Sequence, residues 1–369
     1  MRFLIVLLVL MACTSNAQPA FESQTLDSAI SIGYGLAIGD VDGDKKPDIL
    51  LADKKQFVWY RNGDWRKFIL AENLTQSDNV CIAARDIDGD GKVEIAVGAQ
   101  WNPGETTDTL ASGSVHFLQR PSDPTQIWSV KTLHHEPTVH RMKWVEVAPR
   151  DFRLIVVPLH GRGNKNGVGE GVRVLAYQPD KAGSQSTYEL VDQSMHLTHN
   201  FDIIRDGDHE NIVIAGKEGL KTFGYSGKEW KLKSWDAKTY SFGEVRHASA
   251  SPKVVAAIEP MHGNKVTVYD NGRRTVLDST FNQGHALAFA DLLGQRKDQI
   301  IAGWREPDKN GKTGIKIFSL KEHESFWLDE NGIACEDLAV ADLNGDNKPD
   351  VVAAGRATKN LKVYWNKRK

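Results

Sequence analysis

Residues Asp86–Ala99 read DIDGDGKVEIAVGA, and the two halves of this stretch decide the fold. The first half alternates acidic and small residues, a spacing that curls several carboxylate oxygens inward while glycine takes the sharp turn. The second half, EIAVGA, is a short apolar run suited to a strand buried on both faces. The same pairing recurs as DVDGDKKPDILLA from Asp40 and as DLNGDNKPDVVAA from Asp342. A weaker copy, DLLGQRKDQIIAG, starts at Asp291, and eroded copies lie at Glu146, near Arg205 and near Ser249. Seven copies at intervals of 42 to 60 residues point to a repeat architecture.

Each copy carries four short strands. Strand A precedes the acidic loop and strand B follows it, as in Ile49 to Ala52. Strand C comes next, as in Phe57 to Tyr60, and strand D closes the unit, as in Trp65 to Leu70. Four strands per repeat without helical periodicity predict an all-β chain, a seven-bladed β-propeller over residues 18–369. The seventh copy lacks a strand D, whereas Phe21 to Asp27 precedes the first copy and ends in Leu-Asp. Leu277-Asp278 and Leu328-Asp329 end other D strands in the same way. The N-terminal strand is therefore expected to complete the last blade and close the ring.

The acidic loops resemble FG-GAP or VCBS repeats, which are familiar from propellers that bind calcium. Three loops have enough oxygen donors for Ca²⁺. They are Asp40, Asp42, Asp44 and Asp48; Asp86, Asp88, Asp90 and Glu94; and Asp342, Asn344, Asp346 and Asp350. A metal-free reading stands beside this one, in which each aspartate bonds the backbone of its own turn.

The chain has 369 residues, is 40% hydrophobic and carries a formal net charge of -2. That balance gives no reason to expect nucleic acid or an anionic membrane surface as partner. Residues 1–17 read as a targeting segment, Arg2 preceding a short apolar run from Phe3 to Ala12. Cleavage before Cys13 would leave a lipid anchor there, and cleavage after Ala17 a free protein; both imply export to the periplasm or the outer membrane. Cys81 and Cys335 sit in apolar strands of distant repeats and are expected to be buried free thiols.

Six residues before the start of each loop, the copies place Tyr34, Val80, His140, His199, Glu244, His285 and Glu336. Three of the chain's 12 histidines in seven equivalent slots would converge on the ring axis. Neutral imidazoles with a carboxylate suit Zn²⁺ or a similar divalent metal, so His140, His199, His285, Glu244 and Glu336 are the candidate ligands. A metal-free acid/base cluster is the alternative. At the end of strand B a second polar column includes His160, Glu259 and Arg305. His160, Glu259 and His262 are the candidate acids and bases. Lys143, Arg162 and Arg305 would hold substrate hydroxyls, and Trp101 and Trp304 would stack on a sugar face.

The loop motifs HRMKW (140–144), PLHGRG (158–163), GVRVLAY (171–177), HNF (199–201), IEPMHG (258–263), GHA (284–286) and GWRE (303–306) resemble, in this order, the propeller domain of the aldos-2-ulose dehydratases. The resemblance implies a lyase acting on keto-sugars with a metal in the propeller-face cleft. Those enzymes continue into cupin domains that help form the active site, and a partner protein covering the top face is one expected source of that wall here. β-Elimination from a keto-sugar or keto-glycoside is the leading expectation. A non-catalytic carbohydrate- or protein-binding propeller and a calcium-dependent polysaccharide lyase are the alternatives.

Overall fold

The computed structural model describes residues 20–178, 187–236, 240–249, 251–321 and 324–368. The targeting segment, Cys13 included, lies outside them. Twenty-eight strands form seven four-stranded antiparallel sheets. The innermost strands, in chain order, are Gly35–Gly39, Cys81–Arg85, Val139–Ala148, Thr198–Asp206, Glu244–Ala248, Gly284–Ala290 and Cys335–Ala341. Each packs beside the next, and the last returns to the first, so the chain is a seven-bladed propeller.

The apolar runs after the acidic loops become the B strands. Asp48–Ala52, Glu94–Ala99 and Asp350–Gly355 are buried along almost their whole length, because each is covered by a neighbouring blade on both faces. Val, Ile and Leu dominate there, each contributing about 1.5–3 kcal/mol when fully buried. Cys81 and Cys335, each the first residue of an inner strand, are buried free thiols, as expected.

The ring closes as the sequence indicates. Strand Phe21–Asp27 pairs antiparallel with Asn360–Asn366 and forms the outer edge of the seventh sheet. The recurring Leu-Asp has a physical role. Asp27 accepts the Tyr60 hydroxyl at 2.7 Å and Lys67 Nζ at 3.0 Å, both in blade 1. Asp278 of blade 5 takes Lys316 of blade 6 at 2.8 Å, and Asp329 of blade 6 takes Tyr364 and Lys362 of blade 7. The final Asp of strand D is thus a latch onto strand C of the next blade.

The acidic loops lie where strands A and B join, at the end of the ring opposite the slot residues. They hold their own turns: Asp40 accepts main-chain N–H from Gly43 and Lys45, Asp86 from Gly89 and Gly91, and Asp342 from Gly345 and Asn347. Gly43, Gly89 and Gly345 have φ of 87°, 85° and 76°, where a side chain would be strained. Asn62 and Asn366 donate to Leu343 O and Leu292 O, tying the loops of blades 7 and 6 to the following blade. Carboxylates of Asp40, Asp42 and Asp48 lie together, as do those of Asp86, Asp88 and Asp90.

Candidate functional site

The strands that carry the slot residues are irregular where it matters. In blade 3 the ladder passes from Val139↔Pro158 to Arg141↔Val157, leaving His140 unpaired. In blade 4 it jumps from Thr198 to Phe201, in blade 6 from Gly284 to Ala286, and in blade 7 from Cys335 to Asp337. The skipped residues include His199, His285 and Glu336. A bulge frees a residue from the ladder and re-aims its side chain, here toward the mouth of the ring. Blade 5 is regular at this point, and Glu244 pairs with Ile258.

The histidines converge. His199 Nε2 lies 2.8 Å from His262 Nε2. Ring centroids are 5.3 Å apart for His199 and His285, 5.0 Å for His262 and His285, and 4.7 Å for His140 and His199. Ligand-capable nitrogens of His199, His262 and His285 fall within 4.8 Å of one another. The tautomers follow from the surrounding acceptors. His140 Nδ1 donates to His199 O at 2.7 Å and His285 Nδ1 to Glu336 O at 2.6 Å, each reaching the equivalent slot one blade on. A carbonyl only accepts, so Nε2 of both rings carries the lone pair. His199 Nδ1 stands 3.1 Å from Glu244 Oε1 but off-line for a hydrogen bond, and both atoms lack another partner.

Burial keeps these rings neutral. It holds His140 and His285 well below the usual imidazole value and His262, helped by His199 and Arg305, at about 2. It also lowers His199, against the pull of Glu244. Burial would push the Glu244 carboxyl up, but His199, Arg246 and Arg141 outweigh it and hold it at about 2. Neutral imidazoles whose lone pairs converge beside an ionised carboxylate form a donor set that fits a zinc-like divalent ion.

His262 reaches the cluster from the turn after strand B of blade 5, with φ of 53°. The turn is tight: a Cβ on Gly263 would come within 2.2 Å of Glu259 O. The slot pattern did not contain His262, because it comes from a B-to-C connection. His140 lies beside the trio, and Trp101 stacks on it at 5.0 Å. Arg305 donates to both Glu336 oxygens, at 3.0 and 2.9 Å, and to Gln283 Oε1 at 3.0 Å, while Arg356 takes Glu336 Oε1 at 2.9 Å. Glu336 is therefore an arginine clamp, with His285 Nε2 4.0 Å away. Gln283 and Asn200, whose Nδ2 donates to Glu244 Oε2 at 2.6 Å, are the positioning residues that sequence reading missed.

Other expected site residues stand elsewhere. Trp304 has no face open to a ligand: it is fully buried against Phe281 and Trp327, and its indole N–H donates to Lys312 O. Glu259 is also turned from the axis, since its run of strand B alternates faces. Its carboxylate accepts Thr267 Oγ1 at 2.9 Å, the Tyr269 hydroxyl, and Arg274 at 3.1 and 2.6 Å. Arg162 pairs with buried Glu136 at 2.7 Å, together with Arg173. His160 is half-buried, has an unpartnered Nδ1 and makes no ring contact with the cluster. Lys143 lies deeper in the ring, its Nζ donating to Phe201 O at 2.8 Å.

Parts of the chain match known families. Residues 26–97 match the FG-GAP-like repeat, and residues 112–272 match the aldos-2-ulose dehydratase β-propeller domain. The second segment contains His140, His199, Glu244 and His262; His285 lies beyond it. Aldos-2-ulose dehydratase of Phanerodontia chrysosporium is 23% identical over 355 residues, 85% of this chain. The chain spans 39% of that enzyme's length. Among solved structures, BBS1N in complex with ARL6DN aligns with a TM-score of 0.62 at 14% identity, over 95% of this chain and 97% of that one. The Dos1 propeller aligns at 0.56 and 8% identity, over 90% and 79%. These two likenesses are of fold alone. The chain is a seven-bladed propeller with FG-GAP-like repeats that resembles the propeller domain of the aldos-2-ulose dehydratases.

Proposed function

We propose that this propeller is a carbon–oxygen lyase that performs β-elimination on a keto-sugar or keto-glycoside. The observation that carries the reading is the convergence of His199, His262 and His285, with His140 and Glu244 against them. A divalent ion held by the three imidazoles would polarise the substrate carbonyl and acidify the adjacent C–H. His140 is the base: its Nε2 is bare, and its Nδ1–H is anchored on His199 O, which steadies the imidazolium once formed. As the C–H bond breaks, its electron pair forms the C=C bond and the C–O bond at the β position opens. His140 then returns its proton to the leaving oxygen. Arg305, fixed by Glu336 and Gln283, offers positive charge to the developing oxyanion. Trp101 walls the site beside His140.

The experiment is metal analysis with turnover of 2-keto and 3-keto sugars, followed by the ultraviolet absorbance of the enone. His262→Ala and His285→Ala should each lose the bound metal and activity, while His140→Ala keeps the metal and loses activity. Unchanged metal content and turnover in all three variants would sink the proposal. Two further readings belong with it. Loops 40–48, 86–94 and 342–350 are proposed calcium sites, to be checked by whether calcium raises the melting temperature of wild type by more than that of Asp42→Asn/Asp88→Asn, in which loop 342–350 alone is intact. Residues 1–17 are proposed to direct export, to be checked by cell fractionation and by lipid labelling at Cys13.

A further inference from the structure

Between the seven inner strands lies a cavity of about 550 Å³, whose wall includes Arg141 and Asn200, the residues that follow His140 and His199 in the chain. Its wall includes Arg141 and Lys143 of blade 3, Arg246 of blade 5, Asn200 and Asp202 of blade 4 and Asp337 of blade 7. Strand geometry puts residues two apart on one face, so Arg141 and Lys143 look into the same space. Small side chains such as Ala37, Ala83, Ala288 and Ala339 leave that space open.

The cations in this wall are short of acceptors. Arg141 has five N–H donors and places one on His140 O at 3.1 Å. Arg246 donates to Val245 O at 2.7 Å and stands 3.5 Å from Glu244 Oε2. Lys143 reaches Phe201 O and lies over the Phe201 ring at 5.3 Å. Among the described residues, neither Arg141 nor Lys143 forms an ion pair. The carboxylates sharing the wall are occupied by protein donors. Asp202 accepts His247 N and Nδ1 at 2.8 and 2.9 Å; Asp337 accepts Leu36 N and Leu338 N at 2.8 and 2.9 Å. Arg85, at the far end, is held by Glu210.

Enclosed cations with idle donors are costly unless a ligand or water satisfies them. With Glu244 beside Arg246, the three cations face three carboxylates and their charges balance, so the wall offers unused donors rather than excess charge, which suits a monoanion better than a phosphate. A planar carboxylate also matches the fork of a guanidinium. The volume is that of a small-molecule site, large enough for a sugar ring.

We propose that this compartment is a carboxylate-binding subsite, in which Arg141 and Arg246 grip the anion and Lys143 adds charge. The proposal rests on the keto-sugar reading and deepens it: the substrate is a sugar acid, its carbonyl at the histidines and its carboxylate inside the ring.

Isothermal titration of the full-length protein with glucuronate, glucose and acetate tests it, with and without a chelator. Glucuronate should bind, glucose at the same concentration should not, and Arg141→Gln and Arg246→Gln should each weaken glucuronate at least tenfold. Arg141→Lys, which keeps the charge and loses the fork, should fall between, and melting curves confirm that each variant folds. Glucuronate binding no better than glucose, or equally to wild type and both glutamine variants, overturns the subsite. Acetate binding as tightly as glucuronate overturns the sugar-acid assignment in favour of a free organic acid. Because the binding is read with chelator present and again in His285→Ala, its failure is separate from a failure of the metal-dependent lyase.

Discussion

Glu259 is the sharpest place to set chemistry against structure. Its position after strand B marks it as an acid or base, yet its side chain is 3% exposed and locked in blade 5. Glu259→Ala would remove the acceptor that the Thr267 and Tyr269 hydroxyls and the Arg274 guanidinium share. Removing one partner of a buried ion pair costs about 3–5 kcal/mol. The Arg274 side chain is 21% exposed and regains some water, so the low end, about 3 kcal/mol, applies. At about 2.1 cal/mol/K per residue, 369 residues give an unfolding entropy near 0.8 kcal/mol/K, and the melting temperature should fall by about 4 °C. Calorimetry measures the shift, and metal content and turnover at 25 °C should stay near wild type. A variant that melts like wild type while losing a hundredfold or more in turnover would falsify the structural role and return Glu259 to the chemistry.

Two more outcomes test the scaffold. Asp27→Ala unlatches the closing strand from Tyr60 and Lys67 and should cost about 1–2 kcal/mol, with faster proteolysis near residue 20, read by calorimetry and limited digestion. His116 is buried between Thr132 and Ser114, and burial drives it down to about 4. An imidazole depressed in the folded state contributes stability above its unfolded value near 6.5 and loses it as pH falls toward 4. His116→Gln should therefore flatten the fall of unfolding free energy between pH 6.5 and 4 in denaturant titrations; an unchanged slope would refute the assignment.

The fold was legible because it is written seven times. Loop, apolar strand and Leu-Asp ending recur at fixed offsets, and the borrowed outer strand follows from counting. The histidine slots were legible for the same reason: rotational equivalence converts a shared offset into a shared place. What the offsets could not carry is the direction of a side chain. Trp304 and Glu259 follow apolar strands just as Arg305 does, but strand alternation turns them into the blade while Arg305 faces the clamp with Glu336. His262 was legible as an acid or base but not as a neighbour of the slot histidines, because it sits on a turn outside the repeat's strands and its approach depends on Gly263 folding back on Glu259 O. The bulges at His140, His199, His285 and Glu336 leave no compositional trace at all.

Asn200 brings these strands of reasoning together. The blade 4 bulge skips two residues, so His199 and Asn200 are both released from the ladder. His199 goes to the cluster, and Asn200 places its Nδ2 on Glu244 Oε2 at 2.6 Å while its Oδ1 accepts Phe201 N at 2.8 Å. Glu244 is buried, ionised and beside His199 Nδ1, so its placement controls the orientation of that ring. Asn200→Ala removes the donor without touching any of the three converging imidazoles. Outer-shell partners of metal-binding histidines typically cost 10–100-fold in affinity when lost. Competition with a chromophoric chelator should show a fall of that size, with turnover recovering at saturating metal and Asn200→Gln intermediate between the two. If Asn200→Ala bound metal as wild type does but melted earlier, the residue would be a fastener for the bulge, and Glu244 would hold His199 unaided.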